Sequence, residues 1–297
     1  MDETSGRVHP YIPNSEPRVK AEMLAAIGAA GIDELYADVP PSIRLRRRLD
    51  LPEPLTSEAA LVRHVEGILA RNGTVRENLS FLGGGCAQHH VPAVCDEVNS
   101  RAEFLTAYAG EPYEDHGRFQ ALFEYQSMMG ELLEMDVVNV PVYDGFQAAA
   151  TALRMTARIT GRSRVLVAAH VSADERSKIV DYLSPDLAVT TVGHDPATGL
   201  LDLGALERAI DGSVAGVLVE SPTYLGLIET RGTEIARLVH AAGAILVVAV
   251  DPISLGVLDP PARYGADIVC GDIQALGMHV QYGGGHAGFI ACHDEPV

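Results

Sequence analysis

Lysine is almost missing from this chain: its 297 residues contain two, Lys20 and Lys178. An ε-amino nucleophile is therefore confined to two positions, and neither follows one of the strand-like runs of the C-terminal half. The four cysteines, Cys86, Cys95, Cys270 and Cys292, form no CxxC pair, which argues against a ribbon-type metal site or a dithiol redox motif. Cys270 and Cys292 end apolar, strand-like runs and read as structural thiols. No secretory signal, transit peptide or run of 18 apolar residues is recognisable, and the expectation is a soluble, cytoplasmic protein without a membrane partner. Positive charge is also scarce. Forty acidic against 22 basic residues give a net charge of −18, which disfavours nucleic acid and anionic membranes as partners. The cluster of Arg44, Arg46, Arg47 and Arg48 stands in a Pro-flanked stretch and reads as a solvated or inter-subunit patch.

What the chain does have is apolar content, 47% of its residues, enough to bury a substantial core. Residues 1–55 read as an N-terminal arm and linker, with one helix over 16–30 and a Pro-rich stretch over 40–54. Residues 56–297 read as one large domain. Thr56, Ser57 and Glu58 open a helix running to about residue 72. Gly83, Gly84 and Gly85 make a flexible turn, and helices follow over 91–100, 119–135 and 145–160. From Arg164 onward the pattern changes to short apolar runs at 165–169, 187–192, 216–219, 245–250 and 268–270. Helical segments at 174–183, 203–210 and 233–242 separate them. That alternation predicts an α/β fold, a mostly parallel sheet with helices on both faces.

In open α/β sheets ligands bind beyond the carboxyl ends of the strands, and the residues there are polar in this chain. His170 follows the first run, Glu220, Ser221 and Pro222 the third, Asp251 the fourth, and Gly271 with Asp272 the fifth. A carboxylate beside a pyridine nitrogen keeps that nitrogen protonated and makes the ring an electron sink, a role open to Asp251. Taken alone, Asp251 reads equally as a cap or turn residue. His170 could stack on such a ring. Tyr143, Asp144 and Gly145 open a helix whose N-terminus could cradle a phosphate, although Asp144 would repel the anion if it pointed inward. These three positions, Asp251, His170 and Tyr143, form the candidate cofactor pocket. Gly283, Gly284 and Gly285 would let the backbone pass close to a ligand, or simply make a tight turn. Ser221 has no GxSxG context, so a hydrolytic serine is disfavoured.

The segments YIPNSEPRVKAEMLAAIG, IDELYADVP, RRLDLPEPLTSE, SFLGGGCAQHHVPAV, ALFEYQSMMGELLEMDVVN, YDG, ESPTYLGLIE, VVAVDPISLG and GDIQALGMHVQYGGGHAGFIA run in order along nearly the whole chain. Together they resemble the first, non-lysine (alpha) subunit of two-subunit glycine decarboxylase, the P-protein of the glycine cleavage system. The resemblance implies the large domain of fold type I pyridoxal-phosphate (PLP) enzymes, preceded by a helical arm. It also implies a lysine-bearing homologous second subunit that holds the PLP, with this chain completing the active site and inactive alone. The implied reaction is decarboxylation of a small amino acid, glycine, with transfer of the aminomethyl group to a lipoyl carrier protein. Where the lysine-bearing half carries its Schiff-base lysine, this chain reads Gly271, Asp272, Ile273, Gln274, Ala275, Leu276, Gly277. The pocket is then degenerate, with no catalytic residue of this chain acting alone.

The chain departs from that pattern in two loops. The turn after SFLG usually carries a tyrosine and an aspartate, and here has Ala87 and Gln88 while keeping His89. The next segment, typically TAYTPYQAEISQG, is about one residue shorter and has lost its Gln and Ser. It gains Glu111, Glu114 and Asp115, near which only His116 or Arg118 could balance a substrate carboxylate. By resemblance this loop lines the substrate entrance, which makes His89, Tyr108 and Tyr113 the candidate substrate or subunit-junction residues. A second reading is a divergent, C-terminally short paralogue acting on another small amino acid in a specialised pathway. A third is a catalytically silent scaffold subunit. The sequence ends at Val297, where the family continues into a smaller C-terminal domain, so that domain is expected to be absent here.

Overall fold

The structure, a computed structural model, describes residues 8–9, 11–47, 49–81, 85–104 and 116–294. It divides into two compact units, Met1–Leu79 and Ser80–Val297, so the division falls later than the arm boundary expected at residue 55. α2 (Glu58–Leu69), like α1 (Pro17–Ala26), buries none of its residues and falls in the first unit. α1 begins where Glu16 accepts a bond from Val19 N at 2.7 Å with Pro17 in the first turn. It stops at Ala26, four residues before the predicted end, and Gly28 follows with φ 70°. Arg44 pairs with Asp33 and lies 5.7 Å from the Tyr36 ring centroid, which accounts for one member of the arginine cluster. No described residue of this first unit is buried.

The second unit holds a seven-stranded sheet. Its strands are β1 (Val137–Val138), β2 (Arg164–Ala168), β3 (Ala188–Val192), β4 (Val214–Glu220), β5 (Ile245–Val250), β6 (Ile268–Asp272) and β7 (Gly288–Cys292), in the order β1-β7-β6-β5-β4-β2-β3. The five consecutive strands β3, β2, β4, β5 and β6 pair parallel, as the alternating pattern predicts, whereas β7 and β1 extend the sheet antiparallel. The helices of this unit are α3 (Ala93–Asn99), α4 (His116–Leu133), α5 (Gly145–Thr160), α6 (Ala173–Leu183), α7 (Leu203–Ala209) and α8 (Gly232–Ala241).

Alternation along the strands builds two cores, one on each face. Leu166, Val217, Val219, Leu246, Val248, Val269 and Phe289 pack with Leu133 of α4, Leu206 of α7 and Val239 of α8. Val165, Val167, Leu218, Val247, Cys270 and Ile290 face the other way, against Leu153 of α5 and Ile179 of α6. α5 presents Ala148, Ala149, Ala150 and Ala152 to the sheet, and small side chains let it lie close. At Gly216 an added Cβ would sit 2.5 Å from Thr156 Oγ1, which measures that approach. Asp144 accepts from Gln147 N at 2.8 Å to start the helix, and Gly161 in the left-handed region (φ 68°) ends it. The result brings the N-terminus of α5 to the carboxyl end of β6. Among the described residues, no helix is long and apolar enough to cross a membrane.

Candidate functional site

The carboxyl ends of the parallel strands carry His170, Glu220, Asp251 and Asp272, and the head of α5 meets Asp272. The chain's own carboxylates already occupy that head. Gly145 N donates to Asp272 Oδ2 at 3.1 Å, Gln147 N donates to Asp144 Oδ1 at 2.8 Å, and Tyr143 N donates to Gln147 Oε1 at 3.0 Å. Two carboxylates hold N–H groups at this head, and a further anion there would meet their charge. The expected cradle is thus closed by Asp144 and Asp272, while the Tyr143 side chain is 79% exposed.

Gln274 is buried and bonded on every side. Its Oε1 accepts from Ala87 N at 2.9 Å, and its Nε2 donates to Ala87 O at 3.1 Å and to Met278 O at 3.0 Å. The amide therefore fastens the loop at Ala87 onto the end of β6. The same carbonyl of Ala87 also accepts from His89 Nδ1 at 3.0 Å, which leaves His89 Nε2 buried with no partner. Of the two lysines, Lys178 lies on α6, paired with Asp174 at 2.7 Å and 5.0 Å from the Phe146 ring, and Lys20 lies on α1 of the first unit.

Asp251 takes the capping alternative. Its Oδ1 accepts from Ile253 N at 3.0 Å at the start of a short 3-10 helix (Pro252–Gly256), and it is exposed. His170 is the opposite: 2% exposed, with neither ring nitrogen hydrogen-bonded. Burial lowers its pKa, the carboxylate of Glu229 pulls the other way, and His194 adds to the lowering, so the ring is neutral near pH 7. No hydrogen bond among the described residues joins His170, Asp251 and Tyr143 to one another. Tyr108 and Tyr113, with Glu111, Glu114 and Asp115, lie outside the described residues, as do Gly83 and Gly84.

The residues present do not fit PLP as a tightly held group. Gln274 offers an amide and no amine, the carboxylates of Asp272 and Asp144 already accept from N–H groups at the head of α5, and the Asp251 carboxylate caps a turn. A cavity of about 140 Å³ near the ends of β4 and β5, lined by Ser221, Glu229, Ser254, Leu255 and Tyr264, includes none of the three expected residues. It is also smaller than the roughly 300 Å³ at which ligand pockets begin.

Other polar groups near the strand ends have clear physical causes. Burial raises the Glu220 carboxyl to about 8, helped by the charge of Glu175 and opposed by the Tyr224 N–H. Glu175, which forms a reciprocal cap with Ser172, is raised by burial too. Cys270, fully buried, is pushed far up by desolvation and then by Glu220 and Glu175, in keeping with a structural thiol; Cys292 is half-buried and raised for the same first reason. Glu229 feels burial pushing it up, yet the Arg231 side chain and the N–H groups of Arg231 and Leu201 hold it below its ordinary value.

One constellation was not anticipated from the sequence. His286 Nδ1 lies 2.9 Å from Asp272 Oδ2, and its Nε2 lies 3.2 Å from Cys86 Sγ. Both ends sit beside glycine-rich segments, but nothing in their spacing announces that residues 200 positions apart meet.

Comparison with known proteins accounts for this architecture. The family model for the glycine cleavage system P-protein matches residues 9–297. The chain is 43% identical over 289 residues to the probable glycine dehydrogenase (decarboxylating) subunit 1 of Carboxydothermus hydrogenoformans, covering 96% of this chain and 64% of that one. A crystal structure of glycine decarboxylase (P-protein) of the glycine cleavage system, in inhibitor-bound form, superposes with a TM-score of 0.82 at 37% identity, covering 97% of this chain and 63% of that one. The glutamate decarboxylase of Lactobacillus brevis shares the fold alone, with a TM-score of 0.63 at 12% identity over 85% of this chain and 61% of that one. The chain thus spans less than two thirds of the length of these relatives. The sheet order, the two helical layers and these matches identify the large-domain fold of type I PLP-dependent enzymes, and the chain belongs to the glycine cleavage system P-protein family.

Proposed function

We propose that this chain is the lysine-free subunit of a heteromeric PLP-dependent glycine decarboxylase, an aminomethyl-transferring glycine dehydrogenase, and that a lysine-bearing homologous subunit holds the cofactor. The observation that carries the reading is Gln274. It stands where the resemblance places a lysine, and its amide is committed to Ala87 and Met278. The first unit supports a partner chain: none of its described residues is buried, and α2 exposes Leu61, Val62, Val65, Ile68 and Leu69. Apolar surface of that kind is costly in water unless something covers it.

Held by the partner, PLP would supply an electron sink for the reaction. This chain contributes shape and polarity at the junction. His89 Nε2, buried and unpaired, is available to accept a hydrogen bond, since its Nδ1 donates to Ala87 O. Gln274 holds the backbone on which His89 stands. Glycine is the amino acid substrate, and a lipoyl carrier protein accepts the aminomethyl group.

The test compares the isolated chain with the complex. Mixed with PLP, the chain alone is expected to give no imine absorbance and no exchange of labelled CO₂ into glycine. Equimolar mixing with a lysine-bearing homologue should give both. Imine absorbance with turnover by the isolated chain would overturn the proposal.

A further inference from the structure

Cys86 is built like a working nucleophile rather than a buried thiol. His286 Nδ1 faces Asp272 Oδ2 at 2.9 Å, and a carboxylate there fixes the tautomer with its proton on Nδ1. The lone pair of Nε2 then points at Cys86 Sγ, 3.2 Å away. Asp272 is itself held, because its Oδ2 accepts from Gly145 N at 3.1 Å and its Oδ1 from Gln274 N at 2.8 Å. A base in contact with a thiol, oriented by a third group that is fixed by backbone donors, is the arrangement that activates a cysteine. Access is also provided. Cys86 is half-buried, Gly85 precedes it, and Gly285, whose carbonyl lies 3.5 Å from Sγ, precedes His286, so neither neighbour has a side chain to shield the sulfur.

We propose that Cys86 is a nucleophilic thiol, deprotonated by His286 with Asp272 as the positioning residue, and that it exchanges with small disulfides. In the exchange the Cys86 proton passes to His286 Nε2 and the thiolate attacks one sulfur of the disulfide. A new S–S bond forms to Cys86 as the old one breaks, and the departing thiolate takes the proton back from His286. Electrons balance within the two disulfides, with no further oxidant. A cationic disulfide is favoured by the net charge of −18. The titratable groups shown in contact with the sulfur or with its base are His286, between β6 and β7, and Asp272, the last residue of β6.

The full chain is treated with iodoacetamide at pH 7, and separately with cystamine, and modified cysteines are located by peptide mass spectrometry. Cys95, also half-buried, is the internal reference. Cys86 is expected to react at least tenfold faster than Cys95 and to form the mixed disulfide with cystamine. Asp272 also supports α5, so His286→Asn is the primary variant, its fold checked by circular dichroism. It should slow Cys86 at least tenfold and leave Cys95 unchanged. Equal rates at Cys86 and Cys95, an unchanged rate in His286→Asn, or no mixed disulfide with cystamine would each overturn the proposal.

Discussion

Gln274 and Ala87 exchange two hydrogen bonds, the backbone N–H of Ala87 to Oε1 at 2.9 Å and Nε2 to the backbone carbonyl of Ala87 at 3.1 Å. A side-chain amide pairs here with a main-chain amide as one strand pairs with another. No lysine could reproduce it, because an ammonium has donors only and would leave Ala87 N–H without an acceptor.

Gln274→Ala strips acceptor and donor from Ala87 and the donor from Met278 O at a buried position. The expected loss is about 2–3 kcal/mol. Urea unfolding of both chains measures it, and a loss well below 1 kcal/mol would show that water replaces the amide.

Glu220 makes stability fall with rising pH. Its folded value of about 8 lies above its ordinary 4.5, so between these the folded chain keeps a proton the unfolded chain has lost. This contribution is complete below pH 4.5 and is lost as pH rises through 8. Glu220→Gln should flatten that slope, read from urea midpoints at pH 5, 6.5 and 8.

Arg231 and Glu229 form a partly buried pair, Nε to Oε1 at 2.9 Å and Nη2 to Oε2 at 2.9 Å, and Arg231 Nη2 also holds Leu201 O at 2.8 Å. Arg231→Ala leaves a carboxylate 2% exposed without its cation, at an expected cost of about 3–5 kcal/mol. Adding Glu229→Gln should recover part of it, and a double-mutant cycle by denaturation would expose additivity if the two do not couple.

Gly216→Ala drives a methyl to within 2.5 Å of Thr156 Oγ1 and 2.7 Å of its Cγ2, between β4 and α5. The expected penalty is about 1–3 kcal/mol. Thr156→Ala in the same chain makes room and should restore a melting temperature closer to the parent than Gly216→Ala alone.

His89→Ala separates a contributing subunit from a scaffold. The variant should still assemble with a lysine-bearing partner yet lower glycine turnover at least tenfold. Full turnover in the assembled complex would assign this chain a scaffolding role.

The repeating elements were legible in the sequence because their causes are local. α5 begins and ends where its cap at Asp144 and its glycine at 161 dictate, and β5 occupies the whole predicted run at 245–250. β7 was visible only as an apolar run, since antiparallel pairing with β6 and β1 depends on where the chain returns. β1, two residues long, has no pattern to read. Asp251 was readable as a cofactor partner or a cap, and only the fold shows that its Oδ1 accepts from Ile253 N while the residue stays exposed.

The sequence by itself determined the family, the parallel α/β core and the missing lysine, because residue identity, hydrophobic period and the order of segments are all written along the chain. Tertiary structure alone decided what surrounds Gln274, the head of α5 and Cys86. Gln274 meets Ala87 across 187 residues, two carboxylates hold N–H groups at the head of α5, and Cys86 meets His286 across 200. Such contacts depend on how closely helix and sheet pack, and sequence spacing carries no measure of that distance.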